Sequence, residues 1–437
     1  MTQARQVVFI LLAGAATLFS AGAQAQGTVG LEEVYRSALS QNYGLRSQQF
    51  TYKAEEEAVR EAWAGVLPQV DATASYGTSE YTRDFDLQSS ITDRDEHTRY
   101  DVSLDQVVYS KKTFEAIRRA YAGEKLAGAE LKGRELEIGY AAVEAYLKVK
   151  SLEAEIAIIE EEQQSHQRRL SQLESMRERG FATRADTLDA QARIDEVIAE
   201  LTGLQSDYRA AIKNLEAVSG LSLVNTELEP VNAEAWQKTP AVLQGPWQDL
   251  AVKNSAMLDQ AEAEVEFADK TRDMESAGHW PELFVSARYT NNDTFATNLR
   301  EETRVELQLR VPLYQGGAVS SRTRQAENRL EAARYEMRDT RNQVQVEVAR
   351  ITEDLQGSYS RIQALKAAEE SANAALDAAE KGFIGGVRSL TDLLDSRNRL
   401  ADIRRSITQE IFSNLVLQHE LRQVAGTLSQ SNLMTVD

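Results

Sequence analysis

The segment GFATRADTLD at residues 180–189 returns as GVRSLTDLLD at 386–395, and this recurrence decides the fold. Gly180, Asp186 and Asp189 map onto Gly386, Asp392 and Asp395 at an offset of 206. The same offset carries Leu215, Val218 and Gly220 onto Leu421, Val424 and Gly426. Chance does not hold one offset over forty residues, so the chain is an internal duplication. Upstream, Leu45, Gly65, Pro68 and Tyr76 recur as Leu258, Gly278, Pro281 and Tyr289. Each half reads as a helix, two strands, a long helix, a turn and another helix.

The rest of the sequence explains why these helices are long. Only 6 prolines occur among 437 residues, at 68, 230, 240, 246, 281 and 312. Segments 69–229 and 313–437 therefore lack the strongest helix breaker. They are rich in Ala, Glu, Gln, Leu and Arg, which lose little on entering a helix. Residues 111–179 and 316–384 are both 69 residues long, or roughly 104 Å of helix at ~1.5 Å per residue. Residues 30–66 and 187–218 together match that length, which predicts two short helices stacked alongside one long one. Ile138, Ala141, Ala145, Leu152, Ile156 and Ile159 keep a coiled-coil seam at spacings of three, four and seven.

Four short segments alternate with period two and predict strands of about ten residues, the length that crosses a bilayer at a tilt. Val70, Ala72, Ala74 and Tyr76 alternate with Asp71, Thr73 and Ser75; Tyr100, Val102 and Leu104 alternate with Asp101, Ser103 and Asp105. In the second half, Leu283, Val285, Ala287 and Tyr289 alternate with Ser286, Arg288 and Thr290. Val305, Leu307, Leu309, Val311 and Leu313 oppose Arg304, Glu306, Gln308 and Arg310. The polar set, Asp71, Asp101, Asp105, Arg288, Arg304, Glu306 and Arg310, is the candidate barrel lumen. Trp63, Tyr81, Tyr109 and Trp280 near the strand ends suggest interfacial girdles. A half-buried soluble sheet fits the alternation too. Four strands cannot close a barrel in lipid, so a barrel must be shared among two or more protomers.

The N-terminus reads as an export signal over 1–25: Arg5, an apolar run over 7–19, and Ala23-Gln24-Ala25 before Gln26. With 0 cysteines there is neither a disulfide nor the lipidated cysteine of a lipoprotein. A formal net charge of -19 disfavours nucleic acid and acidic membrane surfaces as partners. Its bland reading is a solvated helical surface; the sharper one is an acidic lumen.

The motif VPLYQGG at 311–317 ends the last strand and opens the next long helix. With the duplicated Gly-x5-Asp-x2-Asp turns and the closing Gly426-Thr427-Leu428 and Asn432-Leu433, the chain resembles the TolC-type outer-membrane efflux protein family over about 31–436. The resemblance implies an α+β membrane protein of the cell outer membrane, reaching into the periplasm. It would be a homotrimer whose 12-stranded β-barrel in outer-membrane lipid continues into a long α-helical coiled-coil barrel. It also implies a periplasmic adaptor (membrane fusion) protein and an inner-membrane ABC, RND or MFS pump as partners. Asp392 and Asp395, one helical turn apart, would form acidic rings at the periplasmic entrance; the bland reading of Asp392 and Asp186 is that they cap a helix start. Arg388, Asp186 and Phe383 match the family's latch. Phe383 stands where the latch has a tyrosine hydroxyl, and Ala185 where it has another hydroxyl. Gly180, Phe181, Gly386 and Val387 match the adaptor-docking tips.

The expected organisation is a signal peptide (1–25), a first repeat (26–225), an equatorial segment (226–248), a second repeat (249–426) and an equatorial tail (427–437). His97, His166, His279 and His419 fall on separate segments without ligand spacing, and no nucleophile or phosphate-loop motif occurs. No catalysis and no cofactor are expected. A structural envelope coiled coil and a stand-alone diffusion porin are the competing functions, though a porin has no use for 100 Å helices.

Overall fold

The computed structural model describes residues 28–85, 89–224, 226–293 and 301–433; the expected signal peptide lies outside them. The first half runs α1 (Leu31–Gln41), α2 (Tyr43–Ala64), β1 (Gln69–Phe85), β2 (Ser89–Ser110), α3 (Lys111–Glu178) and α4 (Arg184–Ser219). After a 3-10 turn, α5 (Thr239–Leu243) and α6 (Trp247–Asn254) lead into the second half. That half holds α7 (Ala256–Ser276), β3 (Glu282–Asp293), β4 (Glu301–Arg310), α8 (Ala318–Ile384) and α9 (Leu390–Val424). The 68 residues of α3 and 67 of α8 give rods of about 100 Å.

Each long helix is flanked by two shorter ones in line, and the joints show how. The helix expected over 30–66 is interrupted at Asn42, which closes α1 and caps α2 by accepting from Leu45 N at 3.1 Å. Its Nδ2 donates to Val218 O at 3.2 Å, and Ser37 Oγ donates to Ser219 O at 2.9 Å. A polar residue mid-segment thus satisfies carbonyls freed at the end of α4, which a continuous helix could not do. Gly220 (φ 72°) closes α4 so tightly that a Cβ would lie 2.8 Å from Gln41 Cβ. Gly426 (φ 65°) closes α9 the same way, where a Cβ would collide with the Asn254 carbonyl at the end of α6. The joint is built twice, and only glycine fits it.

The sheet has the order β1-β2-β3-β4, antiparallel throughout. Its register brings the polar residues of all four strands onto one face: Asp71 opposes Ser103, Ser103 opposes Arg288, and Arg288 opposes Arg304. Val102–Tyr289, Val285–Leu307 and Leu283–Leu309 line the other face. Strand lengths differ from expectation: β3 and β4 have 12 and 10 residues, but β1 and β2 have 17 and 22. Among the described residues the first hairpin continues as a two-stranded ribbon beyond Thr98↔Asp293, where its polar sequence offers no apolar alternation to mark its length. A bulge between Val107 and Tyr109 moves Tyr109 opposite Leu283, onto the apolar face that strict alternation denies it. Trp63 ends on α2 rather than on a strand, its Nε1 donating to Tyr121 OH at 3.2 Å, and Lys111 Nζ lies 4.2 Å over Trp280.

The main apolar core sits midway along the rod. Ile138, Ala145, Leu152 and Ile159 are buried as the seam requires, while Ala141 and Ile156 are half-buried. Between 138 and 152, Ala142, Val143, Tyr146, Leu147 and Val149 are buried as well, because α1, α4, α9 and the segment after α4 surround α3 there. Tyr146 OH donates to Glu229 O at 2.7 Å, and Val29 bridges Leu228. The segment is pinned to α8 and α9 by a buried network. Thr239 Oγ1 donates to Asn414 Oδ1 (2.9 Å), Gln418 Nε2 to the same oxygen (2.8 Å), and Asn414 Nδ2 to Ser358 Oγ (3.3 Å).

Candidate channel entrance and pore face

The two helical hairpins end in turns of one design. Gly180 (φ 77°) and Gly386 (φ 71°) take the left-handed conformation, and neither has an atom within 4 Å of its Cβ position. Backbone conformation alone therefore selects glycine there. Phe181 N donates to Met176 O (2.8 Å) and Val387 N to Gly382 O (2.9 Å). Phe181 and Val387 are 76% and 82% exposed, which leaves an apolar tip on each hairpin.

Asp186 and Asp392 both close capping boxes. Asp186 Oδ2 accepts from Thr183 N (2.7 Å) and Thr183 Oγ1 (2.7 Å), and Thr183 Oγ1 accepts from Asp186 N (3.1 Å). Asp392 repeats this with Ser389 at 3.0, 2.8 and 3.1 Å. The backbone N–H and then the hydroxyl of Thr183 hold the Asp186 carboxyl below its usual range. For Asp392 the Ser389 hydroxyl leads, followed by the Ser389 N–H, with the Arg388 charge adding to both. Asp392 and Asp395 are both exposed on α9, so both carboxylates are accessible. Among the described residues no ion pair joins Arg388 to Asp186 within the protomer, and the Arg388 stem packs over Gly382 instead.

Phe383 does join the two hairpins. It packs on an apolar cluster of Leu170 and Leu173 from α3, Ala190 and Ile194 from α4, and Leu390 and Leu394 from α9. The Arg169 guanidinium lies 4.2 Å from its ring centroid. Above it, Arg397 Nη1 donates to Ser165 Oγ on α3 (2.6 Å) and Nη2 to Glu380 Oε1 on α8 (2.7 Å). Further up the seam, Gln409 donates to Glu155 (2.8 Å), and Arg405 pairs with Glu200 of α4. No motif in the sequence points to Arg169, Arg397 or Arg405. Their one signal is the absence of a repeat: at the offset of 206, Phe383, Arg397 and Arg405 meet Arg177, Gln191 and Ala199.

On the sheet, the candidate lumen residues share the polar face and are largely paired. Asp101 accepts from Thr290 Oγ1 (2.7 Å) and Arg99 Nε (2.6 Å). Arg304 pairs with Glu302 (2.7 Å) and reaches Glu306 (3.6 Å), and Arg310 stands 3.9 Å from Glu282. Asp105, Arg288, Arg304 and Glu306 line one groove of about 550 Å³. The opposite face is bare: Val305, Leu307 and Leu309 are 66–70% exposed. Among the described residues no helix is long and apolar enough to cross a membrane.

A profile of the outer membrane efflux protein family matches residues 34–221 and 247–427, one match per repeat. Outer membrane protein TolC of Vibrio cholerae is 25% identical over 93% of this chain and 93% of its own length. The alkaline protease secretion protein AprF of Pseudomonas aeruginosa is 25% identical over 93% of this chain and 86% of its own. Among solved structures, the outer membrane protein VceC from Vibrio cholerae shares the fold, with a TM-score of 0.76 at 19% identity over 91% of this chain and 96% of that one. The chain thus belongs to the outer membrane efflux protein family: a non-enzymatic channel protein of the outer membrane.

Proposed function

We propose that three copies assemble into one duct, with twelve strands closing a barrel in the outer membrane and the helices forming a tunnel into the periplasm. The observation that carries this reading is a sheet with one polar face, one bare apolar face and, among the described residues, unpaired outer edges on β1 and β4, mounted on rods of about 100 Å. Unpaired edges in lipid cost several kcal/mol per backbone group. Because β1 and β4 run antiparallel, joining β4 of one copy to β1 of the next continues the pattern without a break. The resemblance to the TolC-type family, rather than the geometry, selects three copies.

Asp392 and Asp395 then ring the periplasmic mouth, and the polar strand face lines the barrel. Segments 226–248 and 427–437 form the belt between repeats 26–225 and 249–426. The glycine tips at Gly180–Phe181 and Gly386–Val387 present apolar knobs to a periplasmic adaptor, behind which an ABC, RND or MFS pump loads the duct. The relative named for alkaline protease secretion favours polypeptide cargo by a type I route.

The test is conductance in planar bilayers. The purified protein should form cation-selective channels blocked by polyvalent cations from the periplasmic side, because a ring of carboxylates in a narrow mouth focuses negative potential. Asp392→Ala with Asp395→Ala should relieve the block; equal block in both proteins removes these residues from the entrance.

A further inference from the structure

Among the described residues Phe383 is the one aromatic in the apolar cluster of the lower seam, and its surroundings are unlike those of an ordinary packed phenylalanine. The ring packs against apolar side chains drawn from α3, α4 and α9. One face meets Arg169, whose Nη1 donates to Gln172 (3.1 Å) while Nε and Nη2 are buried with no hydrogen-bond partner. Two buried guanidinium nitrogens whose N–H groups lack acceptors are unfavourable unless something else meets their charge. The ring face does, since its quadrupole attracts a desolvated cation. Burial, and then the nearby Arg397 charge, push the Arg169 pKa down, so the guanidinium gains from any group that stabilises its positive form. Arg397 is tied to Ser165 and Glu380, and the Glu380 carboxylate also offsets part of the Arg169 charge.

Resting on the duct reading above, we propose that Arg169 and Phe383 form a cation–π clamp that holds the α8/α9 hairpin against the α3/α4 hairpin and keeps the entrance closed within each protomer. The clamp differs in chemistry from a hydroxyl–carboxylate latch. It needs a π face, it leaves Asp186 to its capping box, and being partly desolvated it is screened little by salt. Arg169 acts as a positioning residue: it touches no cargo and works through the ring that it holds. Opening moves Phe383 away from Arg169 and breaks the cation–π contact.

Two readouts of Phe383→Leu, Phe383→Trp, Arg169→Met and the double variant Arg169→Met with Phe383→Leu test the clamp. Leucine keeps the apolar contact and removes the π face; tryptophan keeps both. Hydrogen exchange of tip amides 380–394 in detergent should quicken by about 3- to 30-fold in Phe383→Leu and Arg169→Met, the span of a partly desolvated cation–π contact. Phe383→Trp should stay at the wild-type rate, and the double variant should exchange no faster than the faster single one. Closed-state conductance should follow the same order, equally at 0.1 and 1 M salt (roughly 10 and 3 Å Debye lengths). Phe383→Leu exchanging like wild type, or a double variant showing the full product of the single effects, overturns the clamp. The exchange readout needs no conducting pore, so wild type that forms no channels would count against the duct reading while the exchange rates still decide the clamp.

Discussion

The two hairpin tips have the same turn but different neighbours. Both have a left-handed glycine, a capping box ending in aspartate, and an exposed apolar knob. What the second tip adds is a set of residues without counterparts: Phe383 for Arg177, Arg388 for Ala182, Arg397 for Gln191. Duplication preserved what any hairpin needs to end two helices, which is orphan N–H groups satisfied at the new start. Divergence placed Phe383 and Arg397 where they reach across to the other hairpin. The repeated part is structural chemistry, and the unrepeated part is where the seam acquires its chemistry.

Three outcomes sharpen or break this comparison, from the largest effect to the smallest. Arg397→Ala removes a fork between three helices and leaves Glu380 without its cation, so opening of the lower seam should become easier by about 1.5–3 kcal/mol, read from exchange of amides 158–170. Its counterpart Gln191→Ala should change little, because among the described residues Gln191 is bonded only to Asp195 on its own helix. Equal effects at both positions would erase the asymmetry.

The caps should behave alike. Thr183→Ala and Ser389→Ala should each weaken their own helix start by about 1 kcal/mol, measured as local exchange over the first turn of α4 or α9. The pH dependence is shared as well. Both aspartates have folded pKa values below the usual carboxylate value of about 3.9, so their stabilisation is complete above it and is lost as pH falls through the depressed values. Tip protection should stay level from about pH 8 to 5 and collapse in stronger acid. Asp186→Asn or Asp392→Asn should start lower and lose that acid-dependent step.

Arg388→Ala should produce the smallest change in the isolated protomer, within about 0.5 kcal/mol, since Arg388 makes no ion pair there among the described residues. A raised conductance of the assembled channel without a change in protomer exchange would assign Arg388 to contacts between copies. A large protomer effect would instead make Arg388 a seam residue within one protomer, alongside Phe383.

Much of the architecture was legible in the sequence because it depends on local or periodic signals. Pro-free, Ala-rich segments dictate long helices whatever surrounds them, and period-two alternation fixes which face of a strand is polar. One offset, held from Gly180 to Gly426, reveals two copies of one plan. Asp186 and Asp392 announced their capping boxes by standing three residues after Thr183 and Ser389. Other features had no local signal. The break at Asn42 depends on carbonyls at Val218 and Ser219, far along the chain. The bulge that turns Tyr109 to the apolar face appears only when β2 is set against β3. The Arg169–Phe383 contact joins residues more than two hundred positions apart, and neither residue type implies the other. Sequence determined the elements, their faces and their duplication, because backbone propensity and side-chain periodicity act within a few residues. Only the tertiary structure decided which side chains cross the seam, because burial and pairing of a guanidinium depend on what packs against it.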